Sequence, residues 1–411
     1  MLKAVILIGG PQKGTRFRPL SLDTPKPLFP IAGLPLIQHH IAACAKLEEC
    51  KEILIIGSYP TTLMTQFVSD MQKEYHLIIR YLHEFMPLGT GGGLYHFRDQ
   101  VRAGNPSAFF LLNGDVCADF PLKELWEFHE GRPEALVTIM GTEATRQQSI
   151  YYGCMVRDTN SGAVSHYVEK PRGYVSTLIN CGVYVCSPRV FQIMAEAFQR
   201  KQDQFYGSNG QGSPGYMSWE QDVLSPLAGT NKLYALQVTN WWSQVKTASS
   251  AIYANRHYLE LHRNGSSQAP CKITPDVFIH PTAVVDSTAV IGPNVSIGAG
   301  VTIKAGVRIK ESIILNHATV HEHALVMYSI VGQDCSVGEW SRVEGTPPDP
   351  DPNKPFAKMD NTPLFNSDGR LNPSVTILGA GVTMPAERIL LNSIVLPHKQ
   401  LTRSYKNEII L

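Results

Sequence analysis

Short apolar runs alternate with amphipathic stretches over residues 1–250. Blocks at 52–57, 108–113 and 135–139 consist mostly of aliphatic or aromatic residues, which is typical of strands buried on both faces of a parallel sheet. The stretches between such blocks are long enough for crossover helices. The pattern therefore predicts an α/β doubly wound domain over 1–250, with ligands bound at the carboxyl ends of its strands.

The hydrophobic period changes after a predicted helix and linker at 251–270. Aliphatic residues then recur at every sixth position, with glycine, asparagine and proline between them. This is the hexapeptide repeat of a parallel β-helix, and a chance series of hairpins would not hold one phase over seven positions. We therefore predict a β-helix domain over 271–411. The recurring positions are Ile279, Val285, Ile291, Ile297, Ile303, Ile309 and Leu315.

A proline-rich segment interrupts the repeat at 345–373. Five prolines between Pro347 and Pro355 remove backbone donors and favour an extended polar loop. A loop of this length inside a compact domain is usually functional, and apolar residues within it favour docking over disorder. The expected anchors are Phe356, Met359, Leu364 and Phe365.

Two uses of the β-helix are compatible with the repeat. An exposed terminal coil can pair with another copy, which favours oligomerisation. Hexapeptide-repeat acyltransferases instead use a histidine base, although a single histidine is more often structural. The histidines available for that alternative are His280, His317, His321, His323 and His398.

Composition excludes several classes of protein. The 411 residues carry a net charge of +1 and are 43% hydrophobic, so no broad basic surface for nucleic acid or an acidic membrane is expected. No apolar run reaches the length of a membrane span, and the N-terminal run is too short for a signal peptide. Eight cysteines without a C-x-x-C pair indicate a reduced, cytoplasmic protein.

The first apolar run opens into a glycine-rich, cationic loop. Gly9 and Gly10 follow the strand, and the segments G-T-R-F-R-P-L at 14–20 and P-K-P at 25–27 come next. Glycine lets backbone N–H groups approach phosphate oxygens. Arg16 can contact a phosphate with two donors, and Lys26 adds a point charge. The loop therefore predicts a site for a nucleoside phosphate.

This combination resembles the signature G-G-x-G-T-R-x-x-P-L…P-K-P of the sugar-nucleotide pyrophosphorylases, a family of nucleotidylyltransferases. The resemblance implies a Rossmann-like nucleotidyltransferase domain followed by a left-handed β-helix. One departure is immediate, because three residues at 11–13 separate the glycine pair from Gly14 where active members have one. The longer loop should displace the donors that hold the leaving pyrophosphate.

Further motifs of the family follow in order. Glu84 precedes L-G-T-G-G, which contains Gly89 and Thr90 and resembles the base-binding stretch. A carboxylate at this place can accept from N1–H and the exocyclic amino group of guanine. Asn113 and Asp115 match N-x-D, whose aspartate binds the catalytic magnesium in the family.

The sugar-binding signatures Y-G, E-K-P and N-x-G also occur. They place Gly153, Glu169, Lys170 and Asn180 in the predicted site. The resemblance implies that Glu169 and Asn180 bind sugar hydroxyls and that Lys170 neutralises the phosphate on the sugar side.

The last motif departs from the family. Active guanylyltransferases have W-x-D-[IV]-G, whereas here Gln244 replaces the aspartate and Lys246 the glycine. Magnesium is usually held by one or two carboxylates, so a site left with Asp115 alone should be weak and turnover impaired. Lys246 can neutralise a diphosphate and Gln244 can hydrogen-bond it. Ligand binding would then need no cofactor, and Mg²⁺ would matter only for an active enzyme.

These features together resemble the regulatory branch of the GDP-mannose pyrophosphorylases. That resemblance implies a subunit that binds GDP-mannose, restrains a catalytic beta subunit by feedback inhibition, and forms homo- and hetero-oligomers through its β-helix. We expect the 345–373 loop to reach the partner's active site. The identity of the sugar rests on the resemblance alone.

Two alternatives remain open from the sequence. The chain could be a working mannose-1-phosphate guanylyltransferase that uses Asp115 alone. It could also be a pure interaction subunit, similar to the pyrophosphorylase-like subunits of a translation initiation exchange factor, although those carry an additional C-terminal helical domain.

Overall fold

The structure is a computed structural model that describes residues 1–207, 215–262, 271–354, 356–360 and 363–411, with side chains omitted at 204–207. The chain divides into two compact units, each formed by several segments. The first unit comprises Met1–Lys13, Ile37–Ser243 and Asp351–Lys358. The second unit comprises Gly14–Leu36, Gln244–Pro350 and Met359–Leu411.

The strands up to residue 244 are mostly short and apolar. They are β1 (Leu2–Gly9), β2 (Pro30–Ile31), β3 (Leu34–Pro35), β4 (Cys50–Gly57), β5 (Ile78–His83), β6 (Ala108–Asn113), β7 (Val116–Ala118), β8 (Val137–Glu143), β9 (Gly153–Arg157), β10 (Val164–Glu169), β11 (Leu178–Cys186), β12 (Leu233–Gln237) and β13 (Trp242–Gln244).

Helices alternate with these strands, as the sequence pattern predicts. They are α1 (Leu36–Ala45), α2 (Thr61–Tyr75), α3 (Gly89–His96), α4 (Arg98–Arg102), α5 (Leu122–Glu130), α6 (Arg146–Ser149), α7 (Val190–Gly207), α8 (Ser225–Leu227) and α9 (Ala248–Leu261). Short 3₁₀ helices cover Thr15–Phe17 and Lys26–Leu28, and a π-helix covers Trp219–Leu224.

The first unit is built on one large mixed sheet. Its order is β10-β9-β11-β6-β1-β4-β5, with β8 also paired to β11 and β12 to β8. Strands β6, β1, β4 and β5 run parallel, and β11 is antiparallel to β6. Residues 4–6 of the central strand β1 have no exposed surface, which explains their continuous apolar run. The predicted α/β arrangement is therefore confirmed.

The second unit contains a coil of short parallel strands. They are β14 (Lys272–Ile273), β15 (Val277–Ile279), β16 (Val284–Val285), β17 (Val290–Ile291), β18 (Val295–Ile297), β19 (Thr302–Ile303), β20 (Arg308–Lys310), β21 (Ser312–Ile314), β22 (Thr319–Val320), β23 (Leu325–Met327), β24 (Ser329–Val331), β25 (Ser336–Val337), β26 (Arg342–Glu344), β27 (Thr376–Leu378), β28 (Thr383–Met384), β29 (Ile389–Leu391), β30 (Ile394–Val395), β31 (Tyr405–Lys406) and β32 (Ile409–Ile410).

These strands form three parallel sheets around one apolar core. The orders are β14-β17-β20-β23-β26-β29-β31, β15-β18-β21-β24-β27-β30-β32 and β16-β19-β22-β25-β28. The core consists of aliphatic side chains from successive coils, such as Ile291, Ile309, Val326 and Val343. The architecture confirms the parallel β-helix and is consistent with the left-handed form that the family resemblance implies.

The coil spacing changes along the β-helix, and one predicted core position is wrong. Strand β14 pairs with β17 at a spacing of 18 residues, whereas β18 pairs with β21 at 17. After Ile309 the next core residue is therefore Ile314, five positions on, while Leu315 lies outside the core cluster. The coil is shortened at the corner next to Glu311, which has a φ of 47°.

The proline-rich insertion leaves the β-helix through a closed neck. Strand β26 pairs with β29 at a spacing of 47 residues. The N–H of Thr346 donates to the carbonyl of Ser374 at 3.0 Å and to Oδ1 of Asn392 at 2.8 Å. The two ends of the loop are thus held together while the coils on either side stay in register.

Three of the four apolar residues expected to anchor the loop are largely exposed, while the fourth, Met359, is half-buried. Phe356, Leu364 and Phe365 are 50%, 49% and 46% exposed. Residues 351–358 nevertheless belong to the first unit, so the segment docks through other groups. Positions 355, 361 and 362 of the loop, and 263–270 of the predicted linker, lie outside the described residues.

Helix α9 begins at a capping box and is bonded to other segments of the second unit through Asn255. Thr247 and Ser250 form a capping box at its N-terminus, which satisfies donors that the helix cannot pair internally. Asn255, which has no exposed surface, accepts from the N–H of Ala32 and from Oγ of Ser296, both at 2.8 Å.

The residues described here include no helix with the length and apolar character that a membrane span requires.

Candidate functional site

Several predicted site residues lie at one edge of the sheet in the first unit. The parallel strands end at Gly9, Gly57, His83 and Asn113, and the register sets these ends side by side. Glu84 continues the row, since its N–H donates to the carbonyl of Gly57 at 2.8 Å. The carboxyl edge of a doubly wound sheet is the usual place for a ligand.

The glycine pair after β1 allows a close backbone turn. Gly9 has a φ of 65°, a conformation that side chains disfavour. A Cβ on Gly10 would collide with Oγ of Ser58. The N–H of Lys13 donates to the carbonyl of Gly10 at 3.1 Å, and residues 11–13 are exposed. The extra residues of this loop thus form a separate exposed turn.

Glu84 is held in a partly apolar place. A Cβ on Gly93 would collide with its carboxylate, so glycine at that position makes room for the acid. Burial raises the pKa of Glu84 to about 7, against a smaller lowering by Lys13. A carboxyl group with this pKa changes its charge near neutral pH.

The Gly89–Thr90 segment begins helix α3 and is bonded to the protein itself. The N–H groups of Gly91 and Gly92 donate to the carbonyl of Met217 at 2.9 and 3.2 Å. Thr90 Oγ1 donates to Glu220 Oε2 at 2.8 Å and accepts from the N–H of Trp219 at 2.9 Å. These contacts fix the π-helix against α3.

Glu220 was not found by the sequence motifs. Its Oε2 also accepts from Oγ of Ser218 at 3.0 Å. Its charge contributes to raising the pKa of Tyr184 and, more weakly, of Tyr167, for both of which burial is the main cause. Glu220 is therefore close enough to these two tyrosines to act on them electrostatically. The sequence offered little signal, because a π-helix has no simple periodic pattern.

The sugar signatures meet in a hydrogen-bonded network. Asn180, which is 9% exposed, donates from Nδ2 to the hydroxyls of Tyr167 at 3.0 Å and Tyr184 at 2.8 Å. Its Oδ1 accepts from the N–H of Gly182 at 2.8 Å. The Tyr167 hydroxyl in turn donates to Glu169 Oε2 at 2.9 Å. Both amide hydrogens of Asn180 are thus engaged within the protein.

Gly153 and Lys170 complete this network. A Cβ on Gly153 would collide with the Tyr167 hydroxyl and lie 2.7 Å from Glu169 Oε2. Lys170 has a φ of 46°, which is strained for a residue with a side chain. Its ammonium is 3.6 Å from Glu169 Oε1 and its side chain is 65% exposed. Lys170 is therefore available to an anion.

Asn113 lies beside the network, and Asp115 follows it two positions later in the chain. A Cβ on Gly182 would lie 2.7 Å from Nδ2 of Asn113, so glycine permits close contact between β11 and β6. Nε2 of His40 donates to the Asn113 carbonyl at 3.1 Å. Asp115 follows the end of β6 and is half-buried.

Four predicted residues belong to the second unit. Arg16 is exposed in a 3₁₀ helix, and the Lys26 ammonium lies 6.0 Å from the ring centre of Phe17. Gln244 has a buried Oε1 that finds no hydrogen-bond partner among the residues that the structure describes. The backbone N–H of Lys246 donates to Oγ of Ser250 at 3.0 Å, at the start of α9.

A two-carboxylate magnesium site does not fit these residues. Within the described ranges, no three histidine, cysteine, aspartate or glutamate side chains come together as metal ligands. The orphaned oxygen of Gln244 is a neutral amide acceptor, and it brings no negative charge to offset that of a divalent cation.

Comparison with protein families divides the chain in the same order as the fold. The nucleotidyl transferase family model matches residues 3–260. The model described as the GMPPB C-terminal domain matches residues 273–410. A solved structure of a Bacillus anthracis protein classed as a glucose-1-phosphate thymidylyltransferase has a TM-score of 0.51 at 19% identity. It covers 65% of this chain and 98% of its own, and shares the fold.

Relatives of known name match over their full length. A Drosophila melanogaster protein named mannose-1-phosphate guanylyltransferase regulatory subunit alpha is 66% identical, with 100% of both chains covered. The Homo sapiens protein of the same name is 54% identical, again with 100% of both chains covered. The chain belongs to the nucleotidyl transferase family and, within it, to the family of these regulatory alpha subunits.

Proposed function

We propose that this chain is a regulatory subunit that binds GDP-mannose in a catalytically degenerate nucleotidyltransferase site. The observation that carries the proposal is Gln244, at the position of a magnesium carboxylate in active family members. Its buried amide oxygen has no partner in the described part of the chain. Loss of that charge weakens the cation that phosphoryl transfer needs. A pocket that keeps its binding groups but loses its metal suits a finished nucleotide sugar.

Glu84 is the proposed guanine-reading group. Its ionised carboxylate can accept both N1–H and the exocyclic amino group, a pair that adenine does not present. The space left by Gly93 lets the carboxylate stay beside the sheet edge. The base would then be selected by Glu84, since the N–H groups of Gly91 and Gly92 in the first turn of α3 are already bonded to Met217.

The sugar and the diphosphate have separate proposed partners. Glu169 keeps an oxygen for sugar hydroxyls, and the exposed ammonium of Lys170 suits the phosphate on the sugar side. Asn180 positions this network through its tyrosine contacts. The remaining proposed ligand-binding residues are Gly9, Gly10, Arg16, Lys26, Gly89, Thr90, Asn113, Asp115, Gly153, Gln244 and Lys246.

Calorimetry with purified chain, GDP-mannose and EDTA tests this proposal. We expect saturable binding without metal, and much weaker binding of ADP-mannose because Glu84 has no paired donors to accept from. Glu84→Ala should lose the preference for guanine, while Glu48→Ala, at an exposed turn before β4, serves as a control. Absence of GDP-mannose binding would leave only a scaffold role.

A working guanylyltransferase is the second candidate, favoured by the retention of Asp115 and of the sugar network. Its test is release of pyrophosphate from GTP and mannose 1-phosphate with Mg²⁺ by this chain alone. We expect no turnover, and robust turnover would overturn the regulatory proposal. The double change Gln244→Asp with Lys246→Gly tests whether the missing ligand is the cause.

The proposed regulation acts on a catalytic beta subunit through the 345–373 loop. Its exposed Phe356, Leu364 and Phe365 offer apolar contacts to a partner. Replacing 347–373 by a short glycine-serine linker keeps the neck residues Thr346 and Ser374. In the assembled complex we expect this variant to relieve inhibition by GDP-mannose while leaving assembly intact, and unchanged inhibition would contradict the role of the loop.

A further inference from the structure

The inserted loop docks on the first unit through one pair of residues. Gln148 Nε2 donates to the carbonyl of Lys358 at 2.7 Å, and the N–H of Lys358 donates to Gln148 Oε1 at 2.9 Å. The side-chain amide of Gln148 thus binds the backbone of Lys358 as a neighbouring strand would. We call this pair of hydrogen bonds the Gln148–Lys358 clamp.

The clamp directs the Lys358 side chain inward. Its Nζ donates to Oγ1 of the buried Thr142 at 3.4 Å and lies 5.9 Å from the ring centre of Trp242. Within the described residues it forms no ion pair of 4.0 Å or less, and Glu143 acts on it only from further away. Burial lowers the pKa of Lys358. The docked ammonium is therefore partly desolvated without a counter-ion, which is unfavourable.

The groups around Lys358 adjoin the sugar signatures. Nε1 of Trp242 donates at 2.9 Å to the carbonyl of Cys181, which lies between Asn180 and Gly182. The Trp242 ring packs edge-to-face on Tyr152, at 5.5 Å between ring centres, next to Gly153. Lys358 thus contacts the side chain that supports two segments of the proposed sugar site.

We propose that the Gln148–Lys358 clamp senses occupancy of the site, because a bound nucleotide-sugar diphosphate supplies the counter-charge that docked Lys358 lacks. Ligand binding and docking of residues 351–358 then stabilise each other by the same factor. The inference rests on the proposed function and adds a regulatory element to it. It concerns docking of the loop on its own chain, which needs no partner subunit.

Tryptic cleavage reports the docked state directly. Lys354 precedes proline and resists trypsin, so the bond after Lys358 is the cleavable one in this segment. We expect GDP-mannose to slow cleavage after Lys358 several-fold, with cleavage after the exposed Arg370 unchanged. Gln148→Ala should speed cleavage after Lys358 about tenfold, as two lost hydrogen bonds predict. Gln147→Ala, an exposed neighbour on α6, should behave like wild type.

Affinity measurements test whether the charge of the Lys358 ammonium contributes to ligand binding. Lys358→Met removes the ammonium while keeping most of the side-chain length, and we expect GDP-mannose affinity to fall about five-fold, with less loss at high salt. Lys354→Met, an exposed lysine of the same segment, is the matched control and should bind like wild type.

The outcomes separate the two proposals. If wild type binds GDP-mannose but Lys358→Met binds equally well, or if ligand leaves cleavage after Lys358 unchanged or faster, the clamp is not a sensor and the proposed function stands. If wild type does not bind GDP-mannose, the proposed function itself fails and the sensor with it.

Discussion

In the proposed function, the single residue Glu84 sets the pH dependence of guanine-nucleotide binding. Its pKa of about 7 in the folded protein means that the acid is partly protonated at neutral pH, whereas the proposed contact with guanine requires the ionised form. Bound ligand would lower this pKa, because the base donates only to the charged carboxylate. We therefore expect GDP-mannose affinity to fall as pH drops through 7, approaching tenfold per pH unit below it.

Calorimetry between pH 5.5 and 8 measures that dependence. Glu84→Gln, which does not titrate, should bind weakly and with a flatter pH profile. An equally steep profile in the variant would assign the proton to another group.

Gly93 makes room for the Glu84 carboxylate because it has no side chain. Because an added Cβ would collide with the Glu84 carboxylate, Gly93→Ala should displace the acid. We expect affinity for GDP-mannose to fall at least tenfold while the far-ultraviolet circular dichroism stays unchanged. Gly173→Ala, where a Cβ meets nothing within 4 Å, is the control.

Site residues could be predicted from the sequence only where they belong to a motif. The apolar run before Asn113 predicted a strand that ends at that residue, and β6 does end there. Glu220 could not be found, because its contact with Thr90 joins positions 130 residues apart. That both amide hydrogens of Asn180 are engaged within the protein also depends on tertiary contacts.

At the scale of elements, the shortened coil of the β-helix makes a sharp prediction. Ile314 is 1% exposed and belongs to the core, whereas Leu315 is only half-buried and lies outside it. Ile314→Ala should lower the free energy of unfolding by about 2–4 kcal/mol. Leu315→Ala should lower it by less than about 1 kcal/mol. Chemical denaturation of both variants measures these changes. A larger loss of stability in Leu315→Ala would contradict the assignment of Ile314 to the core of the β-helix.

The shift of the core position from Leu315 to Ile314 could not be predicted from the hydrophobic period alone. Ile314 and Leu315 are both aliphatic, so a six-residue count continues to Leu315 without any visible break. The step is five residues long because the chain turns early at the corner near Glu311, where the backbone adopts a positive φ. The hydrophobic pattern of the sequence does not show this change. The type of element was therefore predictable, while the register of its coils was not.

Helix α9 depends on one buried amide. Asn255→Ala leaves the N–H of Ala32 and the hydroxyl of Ser296 without their acceptor, and unpaired buried donors cost about 1–3 kcal/mol each. We expect the free energy of unfolding to fall by about 2–4 kcal/mol in thermal or chemical denaturation. Glu260→Ala, exposed on the same helix, should change it by less than about 0.5 kcal/mol.

At the scale of the whole molecule, binding should be independent of magnesium. With Gln244 in place of a carboxylate, we expect GDP-mannose affinity to agree within about twofold in EDTA and in Mg²⁺, because the cation has no second charged ligand. Gln244→Asp should make the affinity rise with Mg²⁺. Calorimetry in both buffers is the measurement, and strong magnesium dependence in the wild type would argue for a retained metal site.

The two-part architecture followed from the change of period, yet the compact units do not follow the order of the chain. Residues 14–36 belong to the second unit and residues 351–358 to the first. Such exchanges are set by long-range contacts, including the bond from Ala32 to Asn255 and the Gln148–Lys358 clamp. Local sequence patterns do not specify them.

The neck between Thr346 and Ser374 uncouples the inserted loop from the stability of the β-helix. Once the two ends are joined, the entropy of closing the loop grows only with the logarithm of its length. Substitutions, insertions and deletions beyond the neck therefore meet little selection from folding. The loop is therefore a region where evolution can change the sequence in small steps, and where a reporter peptide could be inserted while the coils stay in register.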